Sequence, residues 1–132
     1  MRRAFRNKAK ILIMDDSQIA TWEFDALLQE RGYEVTTALS GKEALAKAAR
    51  FAPDLLVSKV GQDNPRGIKA AVQIREMLPG CKVLFLSAHA SMADVSQAVP
   101  KNFVYSFASS LHRSLDLLNA IGYMVPPANI ST

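Results

Sequence analysis

A single cysteine, Cys81, is the only thiol in this chain of 132 residues. One cysteine excludes an internal disulfide and suits a reducing compartment. The histidines are equally sparse: His89 and His112 stand apart, without the spacing of a metal site, so each reads as a surface or loop residue. No apolar run approaches the length of a membrane span. Nor does an apolar segment follow the charges at the amino terminus, as a secretory signal requires, so the cytoplasm is the expected compartment. A glycine-rich phosphate loop is missing as well. Asp15-Asp16-Ser17 follows the first hydrophobic run where Gly-x-Gly would be needed, which argues against nucleotide or flavin binding.

The chain is 49% hydrophobic, enough for one core at this length, and no separate output domain is expected. Its net charge of +4 is unevenly spread. Arg2, Arg3, Arg6, Lys8 and Lys10 fall within the first ten residues, which hold no acid. Subtracting these five from the 16 basic residues leaves 11 against 12 acidic, a net of −1. Residues 1–9 therefore read as a basic arm, a solvated tail rather than a nucleic-acid contact.

Five short β-rich runs alternate with segments of helical period: Ile11 to Met14, Glu34 to Thr37, Leu55 to Val57, Val83 to Leu86 and Phe103 to Tyr105. Most are apolar almost throughout, as expected of parallel strands covered on both faces. Ala20, Phe24, Leu27 and Leu28 form the stripe of a first helix that Gly32 ends. Ser40 and Glu43 have capping-box spacing for a second, whose inner side is expected to hold Leu45, Ala48, Ala49 and Ala52. A third starts at Ile68 and stops before Pro79-Gly80. Ser91 and Asp94 cap a short fourth, and Leu111, Leu115 and Leu118 give the last its stripe. Trp22 lies off the inner stripe of the first helix, where partial burial is expected. Five βα units with right-handed crossovers predict an α/β, doubly wound, flavodoxin-like fold: a five-stranded parallel sheet of order 2-1-3-4-5 over residues 10–122, with 123–132 as an irregular tail. Ligands of such sheets collect at the carboxyl ends of strands 1 and 3, which places Asp15 and Asp16 near Lys59.

The pieces Ile11-Leu12-Ile13-Met14-Asp15-Asp16-Ser17, Arg31-Gly32-Tyr33-Glu34-Val35, Ser40-Gly41-Lys42-Glu43-Ala44-Leu45, Pro53-Asp54-Leu55-Leu56-Val57 and Val83-Leu84-Phe85-Leu86-Ser87-Ala88 resemble, in this order and spacing, the receiver domain of bacterial two-component response regulators. The resemblance implies an acidic pair that holds Mg²⁺, a phosphoacceptor aspartate ending strand 3, a hydroxyl after strand 4 and a lysine after strand 5. Asp15 and Asp16 match the pair, and Ser87 matches the hydroxyl. Counting from Pro53-Asp54 puts the acceptor place on Lys59, and Gly67 stands at the spacing of the family's downstream glycine. The Lys-Pro pair after strand 5 is replaced by Ser106-Phe107, and the proline of the loop after the acceptor by Asp63.

An acyl phosphate needs a carboxylate nucleophile and a divalent cation, whereas an ammonium has no lone pair to attack with. Lys59 can instead donate to Asp15 and Asp16 and balance their repulsion, so Mg²⁺ binding is expected to be lost or weak, with Asp15 and Asp16 as ligands if it binds. The chain is then an atypical stand-alone receiver domain, not an enzyme, acting independently of phosphorylation through protein contacts. The resemblance places those contacts on the face of helix 4, strand 5 and helix 5, with Met92, Val95, His112 and Arg113 as candidates; Ser87, Phe103 and Ser106 hold the switch positions. A homodimer is a further assembly considered, and a membrane or nucleic-acid partner is not expected. Two alternatives stay open: phosphorylation at an unconventional residue such as Ser58, and a small α/β enzyme using the Asp15/Asp16/Lys59 cluster as acid and base. Asp54 is expected to bond local backbone.

Overall fold

Side chains alternate across a strand, so odd and even residues of the central runs face different layers. The computed structural model describes residues 8–60, 66–87, 92–109 and 114–127, with the side chains of Arg66, Met92 and Ser109 outside that description. Strands β1 (Lys10–Met14), β2 (Glu34–Ala38), β3 (Leu55–Lys59), β4 (Lys82–Ser87) and β5 (Ser106–Ser109) form one parallel sheet of order β2-β1-β3-β4-β5. Helices α1 (Gln18–Glu30), α2 (Gly41–Phe51), α3 (Arg66–Met77), α4 (Met92–Ala98) and α5 (Ser114–Met124) connect and cover it. This is the doubly wound α/β arrangement expected from the sequence.

Leu12, Met14, Leu56, Val83 and Phe85 point to one side and pack with Ala44 and Ala48 of α2, Ala71 and Ile74 of α3 and Val95 of α4. Ile11, Ile13, Leu55, Val57, Leu84 and Leu86 point to the other and pack with Leu28 of α1 and Leu117, Leu118 and Ile121 of α5. The same parity sends Asp15 and Lys59 toward the α1/α5 side and Ser58 toward α3.

The helix ends follow local chemistry. Ser17 Oγ accepts from the Ala20 N–H at the start of α1. At its end, Gly32 takes a left-handed φ of 98°, its N–H donates to Gln29 O, and the Tyr33 N–H donates to Leu28 O, the paired bonds of a Schellman cap. Ser40 caps α2 as expected, but Glu43 reaches back to the Leu39 N–H, one residue before the cap. Asp54 departs from expectation: its carboxylate accepts from the Lys10 N–H at 2.8 Å and its own N–H donates to Lys10 O. That partner is 44 residues away and ties β1 to β3 at the rim opposite the site.

Four expectations need correction. Ala44 and Ala48 are the buried residues of α2, while Ala49 and Ala52 are exposed, so the stripe is rotated by about a residue. In α5, Leu117, Leu118 and Ile121 are buried and Leu115 faces solvent, because the helix starts at Ser114. It also runs to Met124, past residue 122, and the following residues are anchored: the Ala9 N–H donates to Pro127 O and the buried Tyr33 hydroxyl donates to Val125 O at 2.6 Å. Finally, β5 is Ser106–Ser109 rather than Phe103–Tyr105. The Pro100–Phe103 turn, with Asn102 at φ 70°, delays the strand, and Arg75 takes up the intervening segment. Its guanidinium donates to Val104 O and to Cys81 O and lies over the Phe103 ring at 4.7 Å. Residues 1–7 of the basic arm, Asp63, His89, Ser91, Leu111, His112, Arg113 and residues 128–132 lie outside the described residues.

Candidate functional site

Parallel strands end together, so the last residues of β1, β3 and β4 bring their following side chains to one rim of the sheet. Lys59 is the last residue of β3 and is registered against Leu86 of β4. Asp15 directly follows β1, its N–H donating to Ala38 O. The Lys59 ammonium lies 3.8 Å from Asp15 Oδ1, and Asp15 is its one ion-pair partner among the described residues. Asp16 is exposed, and the nearness of its carboxyl group pushes the Asp15 pKa upward. The structure thus joins Lys59 to one member of the acidic pair rather than bridging both.

The pair is unequal in its exposure. The Asp15 side chain is 14% exposed and that of Lys59 40%. Burial is the largest influence on the Asp15 carboxyl and raises its pKa above the ordinary aspartate value; the Ser17 N–H, donating to Oδ1 at 2.9 Å, and the Lys59 cation pull the other way without reversing it. The expectation that Lys59 would relieve the upward pressure on the acids therefore holds only in part. A half-solvated ammonium screened by water offsets less than the carboxylate loses on burial.

Ser58 faces the opposite side. It is fully buried, and its hydroxyl donates to Gly67 O at 3.0 Å. Gly67 is required there: a Cβ would lie 2.5 Å from Lys59 O and 2.8 Å from Ser58 Oγ. The glycine picked out by spacing thus lets α3 start directly against the end of β3.

Ser87 ends β4, is buried, and is registered beside Ser109. Ser109, missed in the sequence, is the β5 residue at the site. Ser106 opens β5 beside Leu84, in the middle of β4, and Phe103 precedes the strand altogether, stacked on Tyr105 and Arg75 near the amino end of β4. Neither adjoins Ser87. The aromatic run Phe103-Val104-Tyr105 misled by its β propensity, and the Pro100–Asn102 turn was the signal that placed the strand later. Val95 is fully buried and so offers no surface to a partner.

A cleft of about 320 Å³ opens between α1 and α5 beside the ion pair. Asp15, Lys59 and Glu23 supply its charge, and Phe24, Leu27 and Leu117 its apolar wall. Mg²⁺ demands an octahedron of oxygens, yet the third side chain here is a cation, and no group of three or more His, Cys, Asp or Glu side chains that could hold a metal occurs among the described residues. Cys81 offers no nucleophile: it is buried, and burial pushes its thiol up to about 11. No described helix is long and apolar enough to cross a membrane.

The sheet order and the acidic rim define a receiver-type domain, and the chain belongs to the response regulator receiver domain family, whose pattern it matches over residues 11–107. Among curated relatives it is 33% identical over 99 residues to the transcriptional regulatory protein GlrR of Escherichia coli, covering 75% of this chain and 22% of that one. It is 30% identical over 114 residues to the response regulator protein VraR of Staphylococcus aureus, covering 85% of this chain and 54% of that protein. The chain therefore spans from about a fifth to about half of the length of these relatives. Among solved structures, the chemotaxis protein CheY4 of Vibrio cholerae superposes with a TM-score of 0.76 at 25% identity, over 89% of this chain and 98% of that one.

Proposed function

We propose that this receiver domain has lost acceptor chemistry and works in two-component signalling, in the cytoplasm, independently of phosphorylation and through protein contacts. The observation that carries the reading is Lys59: it ends β3, shares a sheet face with Asp15, and holds its ammonium 3.8 Å from that carboxylate. A protonated amine at the acceptor place forms no acyl phosphate, and its charge stands in for the divalent cation that a pair of acids would otherwise attract. Mg²⁺ binding is accordingly lost or weak. The unconventional acceptor Ser58 is disfavoured by complete burial and by its bond to Gly67 O. The resemblance places the contact surface on α4, β5 and α5 and leaves a homodimer open, but the buried Val95 cannot serve there.

The test is incubation with acetyl phosphate and Mg²⁺ followed by intact-mass measurement. An unchanged mass is expected, and a labile adduct of one phosphoryl group overturns the reading. A second reading, a small α/β enzyme with Asp15 and Lys59 as acid and base, draws support from the cleft and from the raised pKa of Asp15. It requires turnover of a panel of p-nitrophenyl esters that both Asp15→Asn and Lys59→Met abolish.

A further inference from the structure

The cleft between α1 and α5 sorts its lining by depth. Ile13, Val57 and Leu86, on that side of the sheet, are at most 8% exposed and form an apolar floor. Half-buried Phe24 and Leu27 of α1 and buried Leu117 of α5 wall it. Charge is confined to the mouth: Lys59 from the end of β3, Asp15 directly after β1, and Glu23, exposed on α1. Much of this charge is uncommitted. The Lys59 ammonium stands 3.8 Å from Asp15 Oδ1, beyond hydrogen-bond length, and neither it nor the Glu23 carboxylate has a hydrogen-bond partner among the described residues. The mouth therefore offers an ammonium with all its donors and two carboxylates, above one apolar floor. At about 320 Å³ the space lies at the low end of small-molecule sites, which run from about 300 to 1,000 Å³. That size suits a metabolite of a few carbons rather than a nucleotide.

We propose that this cleft binds a free α-amino acid with an apolar side chain: its carboxylate on Lys59, its ammonium between Asp15 and Glu23, its side chain on the floor beside Phe24 and Leu117. This rests on the reading that the rim performs no acceptor chemistry, which leaves Lys59 to hold an anion of another kind. Charge selects the zwitterion. A simple carboxylic acid would meet Lys59 but face two carboxylates, and a simple amine would meet the carboxylates but face the ammonium. Each leaves a polar group of the mouth unpaired as water is displaced. An amino acid answers both signs and adds no net charge to a mouth that already holds one more carboxylate than ammonium. The floor then selects among amino acids. Leucine, isoleucine or phenylalanine covers it, whereas alanine leaves it wet and aspartate would bring a third carboxylate against it. The groove beside α2, lined by Arg50 and Phe51, lacks this pairing of free signs, because its one carboxylate, Glu43, is already held by Lys47 at 3.0 Å.

The probes are L-leucine and L-phenylalanine, added on the order of 10 mM to the whole protein with neither phosphoryl donor nor Mg²⁺ present, and read by calorimetric melting and titration. A saturable rise in melting temperature is expected for both, with alanine, aspartate and lysine at least tenfold weaker. Leucinamide and isoamylamine, which keep the ammonium and lack the carboxylate, and isocaproate, which lacks the ammonium, should also bind at least tenfold more weakly than leucine. Lys59→Met should weaken leucine tenfold or more and bring it level with leucinamide, a change of selectivity that a damaged fold would not give. Glu23→Gln should weaken leucine and isoamylamine together. Ala20→Phe, which fills the cleft from α1, should abolish binding, while Arg50→Met, in the other groove, should leave it unchanged. Circular dichroism checks that each variant folds. The proposal is overturned if no apolar amino acid binds wild type saturably, if leucinamide binds as tightly as leucine, or if Lys59→Met keeps full affinity. Loss of binding in Arg50→Met alone would move the site to the groove beside α2 and overturn it too. Failure here leaves the acceptor reading intact, because that reading is decided by phosphoryl mass.

Discussion

Replacing Gly67 by alanine adds one carbon to the junction between β3 and α3, at a point where no neighbour can yield easily. The added Cβ meets Lys59 O at 2.5 Å, Ser58 Oγ at 2.8 Å and Met14 Cε at 3.3 Å. Only the methionine methyl is a flexible end. The carbonyl belongs to the last residue of β3, so relief requires the strand end or the start of α3 to move, a form of overpacking that costs about 1–3 kcal/mol. Such a shift also stretches the 3.0 Å bond from Ser58 Oγ to Gly67 O, worth about 0.5–1.5 kcal/mol. Against this, alanine is the better helix residue by roughly 0.5–1 kcal/mol in a helix interior, and by less in the first turn. The balance is a loss of about 1–3 kcal/mol, with each kcal/mol lowering the melting temperature by roughly 4 °C. Urea unfolding measures it, and Gly80→Ala is the control, because nothing lies within 4 Å of a Cβ at that position. The double change Ser58→Ala/Gly67→Ala should recover little, since the shortest contact is with the carbonyl. A midpoint equal to wild type for Gly67→Ala would refute the close junction, and full recovery in the double variant would show that the hydroxyl alone was in the way.

Lys59→Asp places a third acid at the rim beside Asp15 and Asp16; the metal-free protein should lose stability, and saturating Mg²⁺ should restore on the order of 1–3 kcal/mol, while wild type shows no such rise by calorimetric melting. Equal melting of the variant with and without Mg²⁺ would argue that position 59 does not face Asp15. Burial raises the Asp15 pKa above 3.8, so the folded state holds that proton more tightly than the unfolded chain; stability is greatest below the unfolded value and falls as pH rises through the folded one. Asp15→Asn keeps an acceptor for the Ser17 N–H and removes the charge, so it should melt higher than wild type at pH 7, with the gain vanishing toward pH 3. Tyr33→Phe deletes the buried hydroxyl that donates to Val125 O and should cost about 1–3 kcal/mol in urea unfolding, because it leaves a carbonyl unsatisfied. An unchanged midpoint would mean that water replaces the hydroxyl there.

Much of this molecule is written in local sequence. The parity of Ile11, Ile13, Leu55 and Val57 against Leu12, Met14 and Leu56 assigns residues to the two faces of the sheet, and carried to the carboxyl ends of β1 and β3 it sets Asp15 and Lys59 together and Ser58 apart. The caps at Ser40 and Gly32 are likewise local, since each is satisfied by backbone within a few residues. The position of β5 was not legible in this way. Phe103, Val104 and Tyr105 have the better strand propensity, yet Ser106–Ser109 pairs with β4, because strand position is settled by the partner's register and by what Arg75 does with the carbonyls that remain.

Propensity is a property of a few residues, whereas pairing, burial and charge balance are properties of the packed whole. For that reason the sequence by itself determined the layered fold, the rim at which Asp15 meets Lys59 and the glycine that lets α3 approach. Tertiary structure alone decided that Asp15 stays short of full charge compensation, that Ser109 rather than Ser106 adjoins Ser87, and that a cleft walled by α1 and α5 lies open beside the site.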